Sequence, residues 1–245
     1  MKTPWQIISS TSEYDILWDG EFEPEPELQE EAESIWIKAV RKRPELTDDF
    51  LLTFNSAGIS NNRTTVRCTK TSYRYYFAAH SAPGLFPPLE PMSVSGVIRV
   101  ASPGGPAYLV ARRSRKVTLY KNFLEFIPSG GIDGKAMSDG GAVDFIDQFK
   151  REFEEESGLD RAFITSIEPF ALIKDIEGEV YDVCAVIDVS CGADDLFDAL
   201  AANNEYSDFR LVSHDSLQQF IKDNRHVFVP TSMAIACQLL ENSPD

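Results

Sequence analysis

Residues 144–159 read DFIDQFKREFEEESGL, and this stretch decides the fold. Its apolar side chains recur at steps of three and four residues, which is the spacing of one face of a helix. Gly158 is the kind of residue that commonly ends a helix. We therefore predict a helix from about Gly141 to Ser157 with one buried stripe, formed by Phe145, Ile146, Phe149 and Phe153.

The same helix carries an acidic patch on a neighbouring face, formed by Glu152, Glu155 and Glu156. Like charges at these spacings repel one another, and each pair costs the helix roughly a few tenths of a kcal/mol. Clustered carboxylate oxygens suit hard divalent cations such as Mg²⁺ and Mn²⁺. Charge alone leaves two interpretations open, a metal site or an acidic face turned to solvent.

The order of residues in this helix favours the first interpretation. Residues 151–159, REFEEESGL, match the pattern R-E-apolar-x-E-E-x-G-apolar. A predicted strand at 124–127 and a Pro-Ser-Gly-Gly turn at 128–131 precede the helix. In this order of strand, loop and helix, the chain resembles the Nudix hydrolases. The resemblance implies an α/β/α sandwich built on a mixed sheet, and the alternation of predicted strands and helices along the chain favours the same fold class.

The resemblance also implies roles for individual residues. Glu152, Glu155 and Glu156 would bind Mg²⁺, with Mn²⁺ as an alternative, and Arg151 would hold these glutamates through a charge-assisted bond. The carbonyl of Gly130 would be a further metal ligand. A later loop would supply one more carboxylate, for which Glu205 is the first candidate and Glu177 and Glu179 are rivals. Bound metal would activate a water that attacks one phosphorus of a pyrophosphate.

The chain departs from the family pattern at two places. Gly131 and Arg151 are separated by 19 residues, six more than in the pattern G-x5-E-x7-R. The position eight before Arg151, where the pattern has glutamate, is Val143. These departures put the start of the helix and the number of bound metals in doubt, but they leave the glutamate cluster intact.

Composition narrows the class of protein. The 245 residues have a formal net charge of −16, which repels nucleic-acid phosphates, so we expect no nucleic-acid partner. No apolar run reaches the roughly 18 residues of a membrane span, and the N-terminus does not read as a signal peptide. Four scattered cysteines without metal-ligand spacing read as reduced thiols, so we expect a cytoplasmic protein.

Proline-rich residues 81–92 are the preferred domain boundary, because they suit neither a helix interior nor a central strand. We predict an N-terminal α+β region over 1–90 and the Nudix-like domain over 91–245. The further elements that we predict are strands at 5–10, 50–55, 64–68, 94–101, 107–112, 164–174, 180–189 and 209–212 and helices at 26–43, 194–202, 213–223 and 230–241.

Short motifs ESIW (33–36), TSYR (71–74) and RRSRKV (112–117) are similar to the branch of animal Nudix enzymes that split UDP-glucose and UDP-galactose. This likeness implies a UDP-sugar substrate cleaved to UMP and a sugar 1-phosphate. We expect Arg112, Arg113 and Arg115 to reach the substrate phosphates and Tyr73 to stack on the base. Ordinary ion pairs and domain packing are the alternatives for these residues. ADP-ribose hydrolysis, a catalytically weak nucleotide-sugar-binding module and a homodimer also remain open.

Overall fold

The computed structural model describes residues 3–117, 119–201, 203 and 205–241. Its helices and strands, in chain order, are β1 (Trp5–Ser9), β2 (Glu13–Glu21), α1 (Pro26–Lys42), β3 (Phe50–Ser60), β4 (Arg63–Ser72), α2 (Tyr73–Ser81), β5 (Met92–Ser102), β6 (Gly105–Arg113), β7 (Leu124–Phe126), β8 (Ser129–Gly131), α3 (Phe145–Ser157), β9 (Ile164–Asp175), β10 (Val180–Val189), α4 (Ala193–Leu200), β11 (Tyr206–Ser213), α5 (His214–Asn224) and α6 (Pro230–Glu241).

A mixed sheet forms the centre of the protein, with strand order β1-β9-β10-β5-β6-β11 and with β7 paired to β6 and β8 to β5. The β10–β5 pair is parallel, and the other pairs of this sheet are antiparallel. Alternate side chains of β5 enter two cores, with Val94 and Ile98 on the side of α3 and Val97 on the side of α5 and α6. The predicted α/β sandwich with a mixed sheet is therefore confirmed.

Helix α3 has the buried face and the C-terminal end that its sequence predicts. Phe149 and Phe153 have no exposed surface, and Gly158 ends the helix with a left-handed φ of 75°. The helix begins at Phe145 rather than at the predicted Gly141, because the Asp144 side chain accepts a hydrogen bond from Asp147 N at 2.9 Å and caps the first turn.

The remaining predicted elements occur with shifted ends. The predicted helix at 194–202 ends at Leu200, and Ala202 lies outside the described residues. The sequence does not predict strand β2, because charged residues interrupt the apolar alternation in its stretch EYDILWDGE. No helix among the described residues is long and apolar enough to cross a membrane.

The N-terminal residues form a second, three-stranded sheet of order β2-β4-β3, with α1 and α2 packed together beside it. The core under α3 also contains Ile16, Leu52 and Val66 from this small sheet, and Phe54 stacks on Tyr181 of β10 with ring centroids 3.8 Å apart. Strand β1 pairs with β9 at the edge of the large sheet. The division at residue 90 stays a prediction, and the two parts share one hydrophobic core.

Residues 137–141 lie in the region of the six-residue insertion, and they pack with the following residues 142–143 onto the small sheet. Trp18 N donates to Gly141 O at 2.8 Å, and Val143 N donates to Ile16 O at 3.0 Å, so this segment lies along β2. Gly141 has a φ of 80°, and a Cβ there would sit 2.9 Å from Trp18 O. Val143 itself is only 8% exposed. An apolar residue stands at the family's glutamate position because that position is covered by the N-terminal sheet.

Restoring glutamate there tests this explanation. Val143→Glu would bury a carboxylate without a hydrogen-bond partner, so we expect a loss of about 3 kcal/mol in the free energy of unfolding. Ala142→Glu places the same side chain on the exposed neighbouring residue and should cost little. Urea unfolding of both variants measures the difference, and equal stability of the two would contradict the burial argument.

Candidate metal centre

The glycine turn lies directly beneath the acidic face of α3. Strand β8 pairs with β5 through Gly130 and Val94, and α3 packs across both strands. A Cβ on residue 130 would overlap the carboxylate of Glu152, so any other residue here would displace that side chain. The backbone of Gly130 and the carboxylate of Glu152 therefore lie side by side.

Glu156 is the most deeply buried carboxylate of the helix, with 4% of its surface exposed. One of its oxygens accepts a hydrogen bond from Ser129 N at 3.1 Å. Burial raises the pKa of Glu156 well above its usual range, and the charges of Glu125, Glu205 and Glu152 raise it further. Glu156 thus lies at the point where several carboxylates converge.

Glu125, on the strand before the glycine turn, belongs to this cluster although the sequence did not single it out. It is 3% exposed and accepts a hydrogen bond from Arg113 Nη1 at 2.5 Å. Burial raises the pKa of Glu125, and the charge of Arg113 opposes the increase. The Tyr206 hydroxyl is buried beside Glu125 and Glu156 without a well-formed hydrogen bond to either, and burial and these charges raise its pKa.

Glu205 is held next to the cluster by its backbone. Ser114 N donates to Glu205 O at 2.9 Å, and Glu205 N donates to Asn203 Oδ1 at 2.7 Å. The same Asn203 side chain donates to Glu156 O at 2.7 Å, which ties this loop to the end of α3.

The two rival carboxylates act electrostatically on other groups. Burial raises the pKa of Tyr120 and of Tyr76, and the charge of Glu177 adds to the first shift and that of Glu179 to the second. The charge of Glu205, in contrast, contributes to the raised pKa of Glu156. Of the three candidates from the sequence, Glu205 is therefore the one beside the helix glutamates.

Glu152 and Glu155 complete the acidic face. Burial raises the pKa of Glu152 to about 7; the hydrogen bond from Gln148 opposes this shift, and the charge of Glu155 adds to it. Glu155 itself is exposed. Among the described residues, no three His, Cys, Asp or Glu side chains form a ready-made set of metal ligands. The metal-binding roles of Glu152, Glu155, Glu156, Gly130 and Glu205 remain predictions.

Arg151 differs from its expected role. Its guanidinium pairs with Asp133 at 2.8 Å and with Asp147 at 3.2 Å, and it donates to Gln148 Oε1 at 2.5 Å. None of its hydrogen bonds goes to Glu152, Glu155 or Glu156. Arg151 therefore fastens the segment after the glycine turn to α3 and reaches Glu152 through Gln148.

The residues expected to bind substrate are spread over two places. Arg113 is engaged by Glu125, while Arg112 donates to Asn122 O at 2.8 Å and Arg115 to Asn122 Oδ1 at 3.4 Å. These three arginines therefore stabilise the loop between β6 and β7. Arg113 also contacts the acidic cluster, because it pairs with Glu125. Tyr73 packs against Trp36 of α1, with ring centroids 6.0 Å apart, inside the N-terminal region. Their roles toward a substrate stay predictions.

Four residues of the site were missed in the sequence: Glu125, Gln148, Asn203 and Tyr206. Glu125 has one usable signal, a lone carboxylate in the short apolar stretch Leu124–Ile127 directly before the Pro-Ser-Gly-Gly turn. Gln148 lies in a helix, Asn203 in a loop and Tyr206 at the start of strand β11, where these residue types are common, so only the tertiary contacts distinguish them.

No protein-family model matches the sequence, and no curated protein is a significant match. Nudix proteins are among the solved structures similar to it. DR0079 from Deinococcus radiodurans is similar over 78% of this chain and 99% of its own, with 14% identity and a TM-score of 0.49. The NUDIX domain of Shewanella oneidensis NrtR, solved with ADP ribose, is similar over 67% of this chain and 95% of its own, with 16% identity and a TM-score of 0.44. The Nudix hydrolase RenU from M. smegmatis is similar over 61% of this chain and 83% of its own, with 17% identity and a TM-score of 0.38.

NrtR has also been solved with a 27mer DNA. At these identities and scores the similarity does not bear on activity, which is inferred below from the site itself. The expectation that this acidic chain has no nucleic-acid partner stays a prediction.

The raised pKa of Glu152 predicts how stability depends on pH. Its carboxyl has a pKa near 4.5 when unfolded and about 7 when folded, so the folded state keeps a proton that the unfolded state releases. In the presence of a chelator, the stability contributed by this group is therefore present below pH 4.5 and lost as pH rises through 7. Thermal melts of wild type and Glu152→Gln across this range should show a steeper decline for the wild type. Parallel curves would contradict the shift.

Proposed function

We propose that this chain is a metal-dependent hydrolase of the Nudix type that cleaves the pyrophosphate of a nucleoside diphosphate linked to another group. The observation that carries the proposal is the buried Glu156 carboxylate, which faces the charges of Glu125, Glu205 and Glu152. No ion pair joins Glu156 to a cationic side chain among the described residues. Such an arrangement is unfavourable by itself and becomes favourable when a cation is bound.

The residues present fit a hard divalent cation. Carboxylate oxygens of Glu152, Glu156 and Glu205 and the carbonyl of Gly130 are the ligand type that Mg²⁺ and Mn²⁺ prefer. The buried Tyr206 hydroxyl makes no well-formed hydrogen bond among the described residues and would gain one from a water or ion at this position. Glu155 is exposed next to Glu152 and would complete the set by turning its side chain inward.

A bound divalent cation would supply charge neutralisation at the pyrophosphate and lower the pKa of a water. The chain's own residues would do the rest. Ser129 N and Asn203 hold Glu156 at its carboxylate and its backbone, so its oxygens keep one orientation. Gln148 donates to Glu152 Oε1 and leaves Oε2 of this carboxylate for the cation. Arg112 and Arg115, in an otherwise acidic protein, supply positive charge beside the cluster for the substrate phosphates.

We further propose a UDP-sugar as the substrate, split to UMP and a sugar 1-phosphate, with ADP-ribose as the alternative. The motifs at 33–36, 71–74 and 112–117 support the UDP-sugar. ADP-ribose is the alternative because the sequence resemblance to Nudix hydrolases does not by itself select the base or the sugar. The protein would act as a soluble cytoplasmic enzyme, and a homodimer remains part of the proposal.

A catalytically weak binding module is the second candidate function. Val143 replaces the family's glutamate and is covered by β2, and Glu155 points to solvent. Both observations are those expected of a site that binds a nucleotide sugar without turning it over.

A substrate panel tests these proposals. We expect Mg²⁺-dependent phosphate release, after addition of a phosphatase, from UDP-glucose and UDP-galactose in preference to ADP-ribose, GDP-mannose, NADH and a nucleoside triphosphate. Glu156→Gln should lose at least roughly 100-fold in kcat, because it removes a charged ligand. Glu154→Gln is the matched control on the same helix, since Glu154 pairs with Arg161 outside the cluster.

The outcomes separate the candidates. Preference for ADP-ribose would keep the chemistry and discard the UDP-sugar. Tight nucleotide-sugar binding without turnover would favour the binding module. If Mg²⁺ and Mn²⁺ neither bind nor raise the melting temperature of the wild type, the acidic face is structural and the metal-dependent function is wrong.

A further inference from the structure

Gln148 is an amide buried in the middle of α3, with only 1% of its surface exposed. It lies one turn before Glu152 on the same helix, so the two side chains meet. Burying an amide is costly unless its donor and acceptor are both bonded, and a residue such as methionine would fill the same space at lower cost. The presence of glutamine here therefore depends on the hydrogen bonds that it makes.

The orientation of the amide is determined by its neighbours. Gln148 Oε1 accepts from Arg151 Nη2 at 2.5 Å and lies 3.4 Å from Asp133 N. A guanidinium and a backbone N–H can only donate, so the oxygen of the amide must face them. The amide nitrogen is thereby directed to the other side, where it donates to Glu152 Oε1 at 2.6 Å.

This contact occupies one oxygen of the Glu152 carboxylate and leaves Oε2 available. The carboxylate is at the same time pressed against Gly130, whose missing side chain makes room for it. Glu152 is thus confined by Gln148 on one side and by the glycine turn on the other. Arg151 and Asp133 hold Gln148 in turn, so the chain of contacts runs from the segment after the glycine turn to the acidic face.

We propose that Gln148 is a positioning residue for Glu152: it holds one carboxylate oxygen as an acceptor and presents the other to a divalent cation beside Gly130. This inference rests on the proposed function, since it assigns to Gln148 the role of holding Glu152, one of the proposed metal ligands. Removing a group that hydrogen-bonds to a metal ligand commonly lowers metal affinity by roughly 10- to 100-fold, and we expect a loss of about this size here.

The experiment measures Mn²⁺ binding alone, by the loss of the free Mn²⁺ electron paramagnetic resonance signal, together with melting temperatures without metal. Gln148→Met keeps the volume and removes both hydrogen-bonding groups, and we expect its Mn²⁺ affinity to fall about tenfold or more. Gln219→Met is the matched control, because Gln219 makes the same i,i+4 bond to Asp223 at 2.7 Å on the exposed face of α5. Its Mn²⁺ affinity should equal that of wild type.

Gln148→Glu separates positioning from simple packing, and it decides the matter if Gln148→Met does not fold. At a pH above 7 that keeps both carboxyls ionised, a glutamate here still accepts from Arg151 and Asp133 N, but it cannot donate to Glu152. Added negative charge by itself would strengthen cation binding, so weaker Mn²⁺ binding in this variant supports positioning. Affinity within twofold of wild type, or higher, in the folded variants would overturn the inference. A wild type that binds no Mn²⁺ would instead defeat the proposed function, and this inference with it.

Discussion

Repulsion among buried carboxylates is the constraint on which the rest of this structure depends. Glu156 has almost no contact with solvent and lies near Glu125, Glu205 and Glu152. Within the fold, this repulsion is offset by Arg113 on Glu125, by Ser129 N on Glu156 and by Gln148 on Glu152. Each of these partners comes from a different segment, so β6, the glycine turn and α3 must meet at one place. A hard cation would relieve the repulsion that remains.

The inserted segment connects this centre to the N-terminal sheet. Residues 141–143 run along β2, and Leu51 of β3 pairs with Asp133, the residue that binds Arg151. The small sheet therefore touches both ends of the segment between the glycine turn and α3. In the family pattern a glutamate stands where Val143 packs here. In this chain Arg151, Asp133 and Gln148 make the polar contacts between that segment and the helix.

The arginines at the end of strand β6 and just after it differ in how fully their hydrogen bonds are used. Arg113 forms a buried pair with Glu125, in which removing one partner would leave an uncompensated charge. Arg112 and Arg115 each donate to Asn122 and keep further donors. In a chain of net charge −16 they are a local positive contribution beside the acidic cluster, and the proposed binding of an anionic substrate depends on such a contribution.

The amino-acid sequence by itself determined the local features of this protein. Helix α3, its buried phenylalanine stripe, its end at Gly158 and its acidic face follow from residue spacing, because periodicity and helix termination are local properties. Helix α1 and the strands of the large sheet other than β8 are predicted for the same reason, whereas the sequence of β8 predicts a Pro-Ser-Gly-Gly turn. Strand β2 was missed, since its charged residues obscured the alternation of Tyr14 and Ile16, which enter the core.

Only the tertiary structure decided which carboxylates lie beside one another and which carboxylate each arginine pairs with. Glu125 joins Glu156 because β7 and α3 pack on neighbouring strands, although these two residues are 31 positions apart in the sequence. Arg151 was assigned to the glutamates and lies instead against Asp133, while Gln148 makes the contact to Glu152. Such pairings depend on the folding of distant segments onto one another, and spacing along the chain carries no information about them.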